Sequence, residues 1–270
     1  MLAYRLSHTQ YNNLVHYRDL TLRQGAMNRD AENSSVELDL FGIQRLKSRI
    51  VTQISHEFRT PLTSIVGFAA LLEDDENMND GQRTEYARYI RQEGLRLAKI
   101  VSDLIDLDAL EKGRAHFIFD EYEFQRIIHR AVALLSETAL SKSIKVTKEL
   151  PNDPIISKCD SDKVTNALYQ VLHNAIRFTK SGGSINLKLE KTDEDISISV
   201  QDTGPGIPSQ DLPLLFKRFG KLYHPKEETH GTGVGLALAK HIIDRHGGDI
   251  IVESQFGEGS TFTLQIPVIL

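Results

Sequence analysis

One cysteine, three methionines and no tryptophan occur in 270 residues. A lone thiol, Cys159, excludes an intrachain disulfide and any thiolate metal cluster, and such sparse use fits a reducing cytoplasm. Long apolar runs are missing as well. The longest resemble AVALL, Ala131 to Leu135, far short of the roughly 20 residues that span a bilayer. No signal-peptide pattern is present. The chain as given therefore reads as soluble and cytoplasmic, with a membrane anchor possible only in a longer protein. An excess of positive charge is absent: 32 Lys and Arg face 37 Asp and Glu, for a net charge of −5 and a pI near 6.1. That balance argues against nucleic acid as a partner. What remains is a globular composition, 40% hydrophobic and 26% charged, long enough for one large domain or two ordinary ones.

Along the chain, Tyr11, Leu14, Tyr17 and Leu20 recur at three-residue spacing, a short amphipathic helix, before the polar stretch MNRDAENSSVELD at 27–39. Residues 1–43 are read as an N-terminal helix and linker without chemistry of their own. From Ile43 to Glu73, Val51, Ile54, Phe58, Leu62, Ile65, Ala69 and Leu72 keep the three–four spacing of a bundle seam. After the acidic turn DDENMNDG, a second seam runs through Tyr86, Ile90, Leu97, Val101, Leu104 and Leu107 to EKG at 111–113. Two long helices with a short loop make an antiparallel hairpin over 44–113. One hairpin covers only part of its seam, so a homodimer with a four-helix bundle is expected.

From 114 to 270 the texture is mixed. His116 to Phe119 reads as a strand, Glu121 to Leu140 as a helix, Ile144 to Glu149 and Ile155 to Lys158 as strands, and Asp160 to Phe178 as a helix. Ser184 to Glu190 and Asp195 to Gln201 alternate like a hairpin; a helix over Val234 to His246 and strands near 249–255 and 260–268 follow. The predicted fold is therefore multidomain: an all-α hairpin, then a two-layer α/β sandwich.

Candidate site residues lie in both parts. DTGPGIP, 202–208, ends a strand with Gly204 and Gly206 around a proline, an open backbone that a flat ligand can approach, with Asp202 as an acceptor in the pocket. GTGVGLALAK, 231–240, sets Gly231, Gly233 and Gly235 ahead of a helix, where backbone amides suit phosphate. The 209–230 stretch between them, containing LPLLFKRFG, has the size of a lid. Gln170 and Asn174 lie one turn apart on one helix face, close to Arg177, and amide oxygens suit Mg2+. In the hairpin, ISHEFRTPLTSIVGF puts His56 and Glu57 ahead of Pro61. At about 100° per residue, His56 lies about 200° from Ile54 and from Phe58, so it faces away from the seam. An outward imidazole is neutral over much of the range near neutrality, with one lone pair available for attack.

These motifs, in this order, resemble the sensor histidine kinases of two-component systems. SHEFRTPLTSI at 55–65 is similar to the histidine box, HNAIRFT at 173–179 to the asparagine box, DTGPGIP to the first glycine box, LFKRF to the phenylalanine box and GTGVGLALAK to the second glycine box. The resemblance covers about 44 to 268. It implies a dimerising hairpin and an ATP-binding domain of the gyrase and heat-shock-chaperone type. It further implies ATP and Mg2+ as cofactors, a response regulator receiver domain as partner, and an upstream sensor module as a further possibility. By resemblance His56 takes the γ-phosphate, Glu57 holds the other ring proton, and Thr60 orients water for dephosphorylating the regulator. Asn174, and in the same face Gln170, would hold Mg2+. Arg177 would contact phosphate, Asp202 would accept from the adenine amino group, and Gly204, Gly206, Gly231, Thr232, Gly233, Gly235 and Leu236 would line the nucleotide. Phe216 and Phe219 would anchor the lid, with Lys217 and Arg218 either reaching phosphate or forming its solvated face.

The chain departs from the family pattern at Gln170, where asparagine is usual, at Asn166, where glutamine is common, and at Arg177, which replaces a lysine. A glutamine places the amide about 1.5 Å farther out, which leaves a kinase-impaired regulator phosphatase as an alternative. A nucleotide-sensing dimeric scaffold is a further alternative. A chaperone-type ATPase is disfavoured, because Gln170 cannot deprotonate water.

Overall fold

The computed structural model describes residues 55, 57–74, 78–218 and 233–268. The expectations for 1–43, for Val51 and Ile54, and for Phe219 lie outside these residues.

Two helices open the described chain, α1 over 57–74 and α2 over Asp80–Glu111. They run antiparallel: Glu57 meets Arg96, whereas Phe68, later in α1, stacks on Tyr89 and tilts against Tyr86, earlier in α2. Asn79 starts α2 with a capping box. Its side chain accepts from the Gln82 amide at 2.9 Å, and the Gln82 side chain accepts from the Asn79 amide at 3.2 Å. Near its end α2 buries Ile100, Asp103, Leu107 and Leu110, spaced three or four apart, the stripe that one helix face presents to a neighbour. Elsewhere the hairpin leaves large apolar side chains in water: Val66 is 62% exposed, Leu95 60% and Ile105 64%.

Beyond the hairpin come β1 (Asp120–Glu123), α3 (Phe124–Ser141), β2 (Lys145–Glu149), β3 (Ile156–Cys159), α4 (Ser161–Phe178), β4 (Ser184–Lys191) and β5 (Asp195–Asp202). A short 3-10 helix (Ser209–Leu214), α5 (Gly235–Arg245), β6 (Asp249–Gln255) and β7 (Gly259–Pro267) complete the order. The main sheet runs β2-β4-β5-β7-β6, parallel only between β2 and β4; β1 and β3 form a separate antiparallel pair. Period-two alternation creates the two layers. Ile185, Leu187 and Leu189 of β4, Ile196, Ile198 and Val200 of β5, and Phe262, Leu264 and Ile266 of β7 are buried. Their opposite-face neighbours Lys188, Glu190 and Gln201 are exposed. Leu168 and Leu172 of α4, Ile127 and Ile128 of α3, and Leu238 and Ile242 of α5 are buried with them. Truncating such a leucine to alanine costs about 2–5 kcal/mol.

Most predicted elements stand, with shifted ends. One does not: 116–119 is no strand, and the ladder begins at Asp120, opposite Cys159. Instead, the Ile118 amide donates to Asp160 Oδ2 at 3.0 Å, while Phe117 and Phe119 both pack on His246. Side-chain contacts with one ring replace a strand's alternation. The same pairing of 120–123 with β3 delays α3, expected from Glu121, to Phe124.

His246 is 3% exposed. Its Nε2 accepts from the Asp160 amide at 3.1 Å, so Nδ1 carries the hydrogen and donates to the Ile242 carbonyl at 2.8 Å. Burial holds its pKa below the ordinary histidine value, against smaller upward pulls from the Ile242 carbonyl and Asp160. A depressed pKa means that the unfolded chain binds a proton more readily than the folded one. The His246 contribution is complete above the unfolded value and is lost as pH falls below it. In urea melts of the wild type and His246→Gln at a series of pH values, the variant should show a shallower fall in midpoint below about pH 6.5. Parallel curves would contradict this.

Candidate functional site

Helix α4 joins the two halves of the site. One face, through Val164, Leu168, Val171, Leu172 and Ile176, is buried in the sandwich. Asn166, Gln170, Asn174 and Arg177 follow each other at one-turn spacing along another. Asp160 caps the helix, accepting from the Lys163 amide at 3.0 Å.

At the carboxyl end of β5, Asp202 is buried, and its Oδ1 accepts from the Gly204 amide at 2.8 Å. Burial raises its pKa, opposed by the hydrogen bonds from the Gly204 and Ser260 backbone. The loop after it is pinned to the β6–β7 turn. The Gly257 amide donates to the Pro205 carbonyl at 2.7 Å, and the Ile207 amide to Ser254 Oγ at 2.7 Å. Gly206 has φ +67°, and a Cβ there would stand 2.0 Å from the Gln255 carbonyl oxygen, so only glycine fits. A Cβ at Gly204 would stand 2.7 Å from Asp202 Oδ1.

Gly235 opens α5, and a Cβ on it would come within 2.5 Å of Gln170 Oε1. The amide oxygen of Gln170 thus lies against the start of the helix where the second glycine motif ends. Gln170 is buried, whereas Asn174, one turn on, is half-buried. Gly233 and Leu236 are half-buried beside this helix start; Gly231 and Thr232 lie outside the described residues. Of the lid residues, Leu215 is buried, Phe216 half-buried and Lys217 exposed. Arg218 is exposed and paired with Glu111 of α2 at 2.9 Å.

In the hairpin, His56 lies outside the described residues. Glu57, its neighbour in sequence, is 4% exposed. Arg96 Nη2 of α2 stands 3.9 Å from its Oε2, and Arg177 lies close enough for its charge to be felt. Burial lowers the Arg177 pKa, and Glu57 raises it in turn. The charges nearest Glu57 are thus cations, Arg96 from α2 and Arg177 from α4. Thr60 is half-buried, and its carbonyl accepts from Ser64 Oγ at 3.2 Å; α1 continues through Pro61.

Sequence reasoning passed over Asp103. This carboxylate of α2 is buried and accepts at Oδ1 from Lys99 Nζ at 2.5 Å and from Gln170 Nε2 at 3.2 Å. Burial raises its pKa; Lys99 and Gln170 pull it back. In sequence, Lys99 and Asp103 look like a solvated i, i+4 pair, and only the burial of the stripe around them hints otherwise. The site chemistry suits Mg2+ and a triphosphate: neutral amide oxygens on α4 are hard ligands, and glycines keep Cβ atoms out of the cradle.

Residues 46–113 match the family of the His Kinase A (phospho-acceptor) domain, and 159–269 that of the histidine kinase-, DNA gyrase B-, and HSP90-like ATPase. The hybrid signal transduction histidine kinase D of Dictyostelium discoideum is 32% identical over 232 residues, which cover 84% of this chain and 15% of the relative. The chain spans less than half the length of the curated relatives it matches first. Among solved structures, the histidine kinase AdeS of Acinetobacter baumannii superposes with a TM-score of 0.60 at 23% identity, covering 79% of this chain and 98% of that one. The histidine kinase ThkA, solved in complex with the response regulator protein TrrA, gives 0.58 at 24%, covering 82% and 61%. At these identities both structures speak for the fold.

Gly206→Ala should cost about 1–3 kcal/mol, from the left-handed backbone and the clash with the Gln255 carbonyl. A urea melt reads the loss directly; an unchanged midpoint would mean that the loop is not pinned as described.

Proposed function

The chain belongs to the histidine kinases of two-component systems, a phospho-acceptor domain followed by a gyrase- and chaperone-like ATPase domain, and from that premise we propose that it transfers the γ-phosphoryl group of ATP to His56. The phosphoryl group then passes to an aspartate of a separate response regulator receiver domain. In domain terms, 1–43 is a connecting segment, 44–113 the dimerising phosphotransfer hairpin and 114–270 the catalytic part.

Asp202, Gly204 and Gly206 would receive the adenine. Gly231, Thr232, Gly233, Gly235 and Leu236 would surround the phosphates. Asn174 and Gln170 would hold Mg2+ by their amide oxygens, and Arg177 would contact phosphate. The bound cation supplies charge neutralisation along the phosphates. The imidazole of His56 forms a P–N bond from its unprotonated nitrogen as the bond from the γ-phosphorus to the leaving ADP oxygen breaks. Glu57 accepts a hydrogen bond from the other ring nitrogen and offsets the positive charge that grows there. Because phosphoryl transfer depends mainly on position and charge, these residues need only hold and aim their partners. Thr60 is assigned to the reverse duty, orienting water against the phosphorylated regulator.

What carries this reading is one observation: Gln170, Asn174 and Arg177 line up on α4 between the glycine-rich cradle and the buried Glu57. The large apolar side chains left exposed on the hairpin, Val66, Leu95 and Ile105 among them, support a homodimer in which a second copy covers them. Among the described residues no helix is long and apolar enough to cross a membrane. Glutamine at 170 in place of the usual asparagine is the ground for a second reading, a protein whose regulator phosphatase outweighs its kinase.

Incubation with γ-labelled ATP and Mg2+ should give a modification that acid removes and alkali preserves, and that His56→Gln abolishes. Full labelling of His56→Gln would reject the site. An unlabelled wild type that still dephosphorylates a regulator, and ceases to do so in Thr60→Ala, would select the second reading.

A further inference from the structure

The hairpin and the candidate metal ligand touch at one buried hydrogen bond. We propose that Asp103, on α2, is a positioning residue that aims the Gln170 carbonyl oxygen at the phosphate end of the nucleotide site. This rests on the nucleotide reading above and adds to it a residue of the other domain.

A glutamine amide has two ends of opposite character, and its neighbours decide which way it points. Both partners of Gln170 Nε2 are oxygens: Asp103 Oδ1 at 3.2 Å and Asn166 Oδ1 at 3.3 Å. Turning the amide over would set its oxygen against the Asp103 carboxylate, acceptor to acceptor, in a buried place where such a mismatch is costly. The nitrogen therefore stays with the hairpin, and the oxygen is left on the side of Gly235 and the start of α5. Asp103 is itself held, since Lys99 Nζ binds the same carboxylate oxygen and lies over the Tyr169 ring at 5.1 Å.

The arrangement also accounts for the departure from asparagine at this position. An asparagine amide, set back by about 1.5 Å, would fall out of reach of a partner already at 3.2 Å. Of the two side-chain amides, only glutamine reaches the hairpin and still presents an oxygen to the nucleotide side. A shift of α2 against α4 breaks the bond and lets the amide rotate, which links the position of the hairpin to the quality of the metal site.

The test is the affinity of the full chain for ATP, measured by equilibrium dialysis with Mg2+ and again with a chelator in its place. Asp103→Leu should weaken binding about tenfold in Mg2+, the worth of one hydrogen bond to a charged acceptor, and leave binding in chelator unchanged. Asp103→Asn keeps an acceptor oxygen and should restore wild-type behaviour in Mg2+. Should Asp103→Leu fail to fold, Asp103→Ala is measured in the same way. Equal losses with and without Mg2+ would show a merely structural role and overturn the proposal, as would an unchanged Mg2+ dependence. A wild type that binds no ATP under either condition removes the nucleotide reading itself, and the assignment of Asp103 with it.

Discussion

The seating of α2 on the ATPase layer is the contact on which the arrangement of the site depends. Ile100, Leu107 and Leu110 bury an apolar stripe, and α2 packs along α5. Apolar burial gives this contact its strength but no direction, because the hydrophobic effect is not directional. Direction comes from the polar groups set into it. Asp103 takes Gln170, Glu111 takes Arg218, and Asp106 stands 3.8 Å from Lys163. All three acids belong to α2, and their partners to the ATPase part. The exposed members of this set are worth little individually. The buried one differs, since an unmatched carboxylate there would be far more costly than an exposed one.

Helix α4 is the element through which this contact reaches the chemistry. Its apolar face is locked into the sheet by Leu168, Leu172 and Ile176, so the positions of Gln170, Asn174 and Arg177 follow from packing that cannot slide without opening the core. Two close backbone approaches tie the glycine loop after β5 down beside it, Gly206 against Gln255 and Gly259 against the Asp202 carbonyl. Rigid support of this kind suits the proposed phosphoryl transfer, in which positioning is most of what a protein supplies.

Much of this was legible in the sequence, for identifiable reasons. Strands β4, β5 and β7 alternate large apolar residues with polar ones, and α4 repeats its apolar residues every three or four, so period alone identified them. The glycine motifs, each of which alone reads as a turn or a loop, were readable through their order and their places beside a strand end and a helix start. What escaped depends on residues distant in the chain. Strand β1 is DEYE, with no apolar alternation, and exists by pairing with β3. HFIF at 116–119 has the composition of a strand, yet two of its rings close on His246. The cations near Glu57, Arg96 and Arg177, lie far from it in the chain, and Asp103 looks like half of a surface pair until Gln170 arrives. In each case the deciding partner comes from another element, which no local pattern encodes.

The central claim is that one nucleotide cradle is built from the end of β5, the start of α5 and the polar face of α4. Amide hydrogen exchange of the full chain, with and without Mg·ATP, tests it most directly. Nucleotide should slow exchange together at 202–206, 233–236 and 170–177. Protection confined to other segments, or none at saturating nucleotide, would contradict it.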